Sequence, residues 1–207
     1  DRIGGVFFNL NEAHTSDKMQ EIAIAIQPKL TALSNDVSLN PELFKRVKYV
    51  YENPGIFLSK EDKKLLEDTY KSFVRSGANL SDEDKELYRQ YTGELSSLTL
   101  KFGQNSLAAT NAFSYNITDP KLVEELPAFV KDGLAMEAKA RGEKGWTVTL
   151  KAPSYVPFVT YSSQREIKEK LWKANNSRAL GGQFDNSENI RQITALRLKI
   201  ANLLGYD

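Results

Sequence analysis

From Ser81 to about Ala112 the apolar residues Leu87, Tyr91, Leu95, Leu98 and Phe102 recur at steps of four, four, three and four. Only a helix brings that spacing onto one face. Ser81 stands where an N-cap belongs, and only Gly93 and Gly103 weaken the helix-favouring run behind it. At 1.5 Å per residue such a stretch makes a rod roughly 45 Å long. Before it, Ser59 and Asp62 form a variant of the capping box, and Leu65, Leu66, Tyr70, Phe73 and Val74 mark a second apolar stripe that ends at Gly77. Two amphipathic helices joined by the short turn Gly77–Leu80 predict a long antiparallel helical hairpin. The hairpin commits much of the chain to an α-helical architecture.

The remaining segments agree with that choice. Ile22, Ile26, Leu30 and Leu33 predict the inner face of a helix from about Asp17 to Leu33, with Pro28 expected to kink or divide it. Asn40-Pro41 reads as an N-cap followed by proline at the first helical position. It opens a helix with Leu43, Phe44, Val47 and Val50 inward that stops near Asn53-Pro54-Gly55. Asp119-Pro120 opens a short helix to about Leu126, and an alanine-rich helix follows Pro127 as far as Arg141. Trp146 to Leu150 alternates apolar and polar residues and reads as a strand, whose partner is expected to lie outside the chain. Pro153 to Phe158 is either a short helix or an irregular turn. Gln164 to Ala179 predicts a helix with Ile167, Leu171 and Trp172 buried. A last helix, capped by Asp185 or Asn186, carries Ile190, Ile193, Leu196, Ile200 and Leu204 on one face. The fold class is therefore mainly α, a multi-helix domain with a minor β element near 146–151. The turn-rich stretch 113–127 is the expected place for a subdomain boundary.

Composition narrows the chemistry. A formal charge of +1 over 207 residues argues against a nucleic-acid surface, which needs a basic excess or stripe. No apolar run is long enough to cross a bilayer. There is no cysteine, so disulfides, thiolate metal sites and cysteine nucleophiles are excluded. His14 is the single histidine, and a two-histidine zinc site cannot be built within the chain. Neither a glycine-rich phosphate cradle nor a Gly-x-Ser-x-Gly elbow occurs. His14 lies in a polar stretch ahead of a helix start and reads as a surface residue. Asp82, Glu83, Asp84 and Glu86 fall in a first helical turn, where acids complement the helix dipole and need no metal.

Several ordered segments carry a resemblance. Gly5-Val6-Phe7-Phe8-Asn9-Leu10, Leu39 to Val47, Leu80 to Lys85 and Lys101 to Asn105 each resemble the N-terminal half of the thimet-oligopeptidase-like metallopeptidases. So do Ala138 to Gly142 through Gly145-Trp146, Arg165-Glu166 through Trp172, and Ala201-Asn202-Leu203-Leu204-Gly205-Tyr206. Any one piece is weak, but seven in order over nearly the whole chain are specific. The similarity looks closest to the bacterial peptidyl-dipeptidases.

The resemblance implies a parent zinc enzyme, cytoplasmic or periplasmic, that removes C-terminal dipeptides from short unstructured peptides. In that family an almost wholly helical body is split by a deep channel, and the N-terminal domain forms one wall. Zinc sits on a His-Glu-x-x-His helix with a further glutamate, in the catalytic half. No position here matches a catalytic or metal residue, so none is carried over and no zinc is expected on this chain. The implied partners are short peptides and the catalytic half of the same polypeptide, with no nucleic acid and no membrane. Tyr155 and Phe158 are the candidates to face the channel and touch substrate, against plain packing as the alternative. A free-standing helical interaction module without activity is the rival reading.

Overall fold

The computed structural model describes residues 2–55 and 58–206. Helices α1 (Arg2–Ala13), α2 (Asp17–Ser38), α3 (Pro41–Glu52), α4 (Lys60–Arg75) and α5 (Asp82–Ala112) come first. Strand β1 (Ser114–Ile117), a 3-10 turn (Pro120–Val123) and α6 (Ala128–Ala140) follow. The order closes with β2 (Trp146–Thr149), α7 (Ala152–Tyr161), α8 (Arg165–Asn176) and α9 (Ser187–Leu203). The described chain is mainly α with a two-stranded sheet, as the apolar spacing requires.

Helix ends are set where capping residues stand. Asn40 Oδ1 accepts the Leu43 N–H at 2.9 Å with Pro41 behind it. Ser59 and Asp62 exchange side-chain and backbone bonds in a complete capping box. At the end of α4 the Ala78 N–H reaches the Phe73 carbonyl at 3.0 Å and the Gly77 N–H reaches Val74 at 3.1 Å, the paired bonds of a Schellman stop. Gly77 sits there at φ +86, a left-handed conformation that side chains rarely adopt.

By contacts the chain divides into two compact units: Asp1–Lys101 with Asn189–Asp207, and Phe102–Glu188. In the first, Phe44 of α3 stacks on Tyr70 and Phe73 of α4, each 5.9 Å between centroids, and Tyr51 lies flat on Tyr70 at 4.1 Å. Asn35 Nδ2 donates to Thr92 Oγ1 at 2.8 Å and Arg89 pairs with Asp36 at 2.7 Å, which ties α2 to α5. The Lys199 ammonium of α9 stands 5.4 Å from the centre of the Tyr91 ring.

The second unit has the larger core. Ile117, Val123, Leu126, Val130, Leu134, Val148, Phe158, Ile167 and Leu171 form one buried cluster to which β1, β2, α6, α7 and α8 all contribute. The strands run antiparallel, with Ser114 opposite Thr149 and Ile117 opposite Trp146. Gly145 makes this ladder possible. At φ +84 its backbone passes so close to β1 that a Cβ would stand 2.2 Å from the Ile117 carbonyl oxygen.

Three expectations are corrected here, and one is narrowed. The partner of the strand at Trp146 is inside the chain, the short segment Ser114–Ile117. Pro28, expected to kink or divide α2, does not divide it, and the helix continues to Ser38. The predicted inner face of α2 is largely uncovered: Ile22, Ile26 and Leu33 are exposed, while the buried positions are Ala23 and Asn35. Ala23 is small enough to let a neighbouring element approach, and no described element covers the larger side chains. Trp172 is 58% exposed, because it follows the fully buried Leu171 by one residue and a helix turns about 100° in that step.

Candidate functional site

The sequence singled out Tyr155 and Phe158, and the structure separates them. Phe158 has no exposed surface and sits in the core cluster, so its role is packing. Tyr155 packs only partly against that cluster and contributes to an open depression of about 390 Å³. Val159 of α7 and Arg165, Lys168, Glu169 and Trp172 of α8 complete its lining.

Local sequence explains this grouping. Residues 168, 169 and 172 lie three, four and seven positions beyond 165, so the four share a face of α8. Ile167 and Leu171 occupy the face turned to the core. On α7, Tyr155 and Val159 are likewise four apart, one turn along the same side. A buried-stripe reading of α8 took Trp172 for core and left out Arg165, Lys168 and Glu169. The spacing 165–168–172 was the signal available for them.

The electrostatics are mixed. Glu169 accepts from Lys173 Nζ at 2.6 Å, and that ammonium holds its carboxyl below the usual carboxylate range, with a smaller contribution from Arg165. Lys168 Nζ donates to the Ser162 carbonyl at 3.1 Å. The Arg165 guanidinium makes no hydrogen bond and no ion pair within 4.0 Å among the described residues, and its charge acts on Glu169 from farther away. Two aromatic walls with a forked donor at one edge can hold an extended peptide and accept a carboxylate. No nucleophile paired with a base lines the depression.

A family zinc does not fit the donor set. His14 is exposed past the end of α1, and among the described residues no three His, Cys, Asp or Glu side chains converge on one point. No helix among the described residues is long and apolar enough to cross a membrane.

No protein-family model matches the chain. Individual proteins do. The probable cytosolic oligopeptidase A of Arabidopsis thaliana is 33% identical over 217 aligned positions, covering all of this chain and 31% of that protein. The dipeptidyl carboxypeptidase of Escherichia coli is 31% identical over 99% of the chain and 30% of its own length. Oligopeptidase A of Haemophilus influenzae is 30% identical over 96% of the chain and 30% of its own length. The chain thus spans about a third of the curated relatives it matches. Their similar identities do not separate oligopeptidase A from dipeptidyl carboxypeptidase.

Proposed function

We propose that this chain is the N-terminal channel-wall portion of a zinc-dependent oligopeptidase that hydrolyses short unstructured peptides and releases C-terminal dipeptides. The observation that carries the reading is similarity from end to end with oligopeptidases and a dipeptidyl carboxypeptidase, each about three times longer. A lone histidine and the absence of cysteine support the assignment of zinc and its chemistry to polypeptide outside these residues. The part played here is selection by shape. A helical wall admits an extended chain and turns away folded protein, and the face bearing Tyr155, Trp172 and Arg165 offers aromatic and cationic contacts to the peptide.

Metal analysis and peptide turnover, measured on the 207-residue chain beside the full-length protein, test this. The full-length protein is expected to hold one zinc and cleave a short peptide, with dipeptides among the products by mass spectrometry. The 207-residue chain is expected to do neither. Stoichiometric zinc and turnover in the shorter chain would overturn the reading. In the full-length protein, Arg165→Ala should raise KM roughly three- to tenfold with zinc content unchanged, the range for losing one partly solvated charged contact. An unaltered KM would remove Arg165 from the peptide path.

A further inference from the structure

The depression at Tyr155 has an apolar half and a charged half, and the charges are not balanced. Tyr155, Val159 and Trp172 make the first, with Trp172 leaving 58% of its surface in water. Arg165, Lys168 and Glu169 make the second. Glu169 is already matched by Lys173, whose ammonium stands 2.6 Å away and does not line the depression. The Lys168 ammonium donates to the Ser162 carbonyl, a neutral acceptor that leaves the charge uncompensated and two further donors on the nitrogen. Arg165 pairs with no carboxylate among the described residues. Lys173 lowers the Glu169 carboxyl most and Arg165 adds to the effect, which places the guanidinium beside that wall. The Glu125 carboxylate, which reaches the turn ahead of α8, is held by Ser163 and lines no part of the depression.

Two cations without a counter-ion beside two aromatic rings specify an amphipathic ligand. A carboxylate takes charge-assisted hydrogen bonds from the arginine fork and the ammonium. An apolar side chain next to it gains by leaving water against Tyr155 and Trp172. A basic ligand meets repulsion at the same edge and is rejected. The volume of about 390 Å³ suits one or two side chains of an extended chain.

We propose that this depression selects peptides in which a carboxylate neighbours an apolar side chain, the carboxylate held by Arg165 and Lys168 and the apolar group against Tyr155 and Trp172. That the ligand is a peptide rests on the function proposed above, whereas its charge follows from the residues of α8. The carboxylate is supplied by an acidic side chain or by the end of the peptide.

The test is a nuclear magnetic resonance titration of the 207-residue chain, read at the indole N–H of Trp172 with Trp146, the other tryptophan, as internal reference. The probes are acetyl-Leu-Glu-amide, acetyl-Leu-Gln-amide, and acetyl-Leu-Gln with a free terminal carboxylate. At least one acidic probe should give saturable shifts at Trp172 and bind roughly three- to tenfold more tightly than the neutral amide, the range for one or two solvent-exposed charge contacts. The tighter acidic probe identifies the source of the carboxylate. Raising the salt concentration should shrink the preference. Arg165→Gln with Lys168→Gln should remove it, whereas Lys139→Gln with Lys144→Gln, the same change in net charge at exposed positions outside the depression, should leave it intact. Equal affinities for all three probes, shifts at Trp146 as large as those at Trp172, or a preference lost equally in the control pair would each overturn the proposal. The titration needs neither metal nor turnover. A full-length protein lacking both would overturn the function proposed above without touching an acid preference at Trp172. A zinc peptidase whose 207-residue portion shows no such preference would overturn this proposal alone.

Discussion

At the scale of single residues, the buried side-chain polar atoms among the described residues are hydrogen-bonded with one exception. Asn116 Nδ2 donates to the Lys144 carbonyl at 2.9 Å and to Thr147 Oγ1 at 3.0 Å, and Thr147 in turn bonds Glu143 at 2.5 Å. These bonds account for a threonine that is wholly buried on β2. Thr149, two positions along on the same face, has no such arrangement for its hydroxyl. A buried group in that state costs about 1–3 kcal/mol in lost hydration. Thr149→Val keeps the branched shape that a strand favours and removes the cost. It should therefore stabilise the chain by about 1 kcal/mol, seen as a higher melting temperature in calorimetry. A lower melting temperature would mean that the hydroxyl already has a partner.

At the scale of elements, Glu125 connects the segment before α6 to the turn between α7 and α8. Its Oε1 accepts the Ser163 N–H at 2.6 Å and the Ser163 hydroxyl at 2.9 Å. The bond from the Ser163 side chain, followed by that from its backbone, lowers the carboxyl's pKa. The contribution is fully present above the ordinary glutamate value of about 4.3 and is lost as pH falls through the lower folded value. A carbon-detected titration should find Glu125 protonating below the ordinary glutamate value, and Glu125→Gln should remove the matching acid-induced change at the Ser163 amide. Titration at or above the ordinary value would refute the link. Such a tie was not legible in the sequence, because it joins residues 38 positions apart. What was legible is local. Asn40-Pro41, Ser59 with Asp62 and Gly77 each act within one turn: the first two start a helix and the third stops one where expected. β1 escaped notice because a four-residue strand in a turn-rich stretch carries too little alternation to read. Its pairing depends on Gly145, 28 residues beyond its last residue. Tyr155 could be named from sequence as an aromatic near a proline turn. Whether it or Phe158 reached the surface depended on the pitch of α7, and the sequence left that stretch open between helix and turn.

At the scale of the whole molecule, the two units differ in how much apolar surface they leave in water. The second has its contiguous core cluster. The first places Ile3 at 85% exposure and Val6 at 62% on α1, and Leu33 at 60% on α2. These two helices and α4 border an open groove of about 830 Å³ with Phe8, Leu30, Leu33, Val37 and Phe73 in its lining. Helical periodicity identified Leu30, Leu33 and Phe73 as inward-facing, and their chemistry fits an interior. What the periodicity could not supply is the cover, and no described element provides it. Apolar surface exposed to that extent commonly marks an interaction site. With only copies of itself available, the 207-residue chain should associate through this face. Sedimentation equilibrium should show a weight-average mass that rises with concentration, and Leu33→Glu with Val37→Glu should return it to the monomer value of 23.3 kDa. If further chain covers the groove in a longer protein, the same pair of charges should instead destabilise that fold. The two measurements separate a surface that is merely greasy from one shaped for a cover. A 207-residue chain that stays monomeric as concentration rises would show that α1 and α2 tolerate their exposure, and the assignment of a covering partner would fall with it.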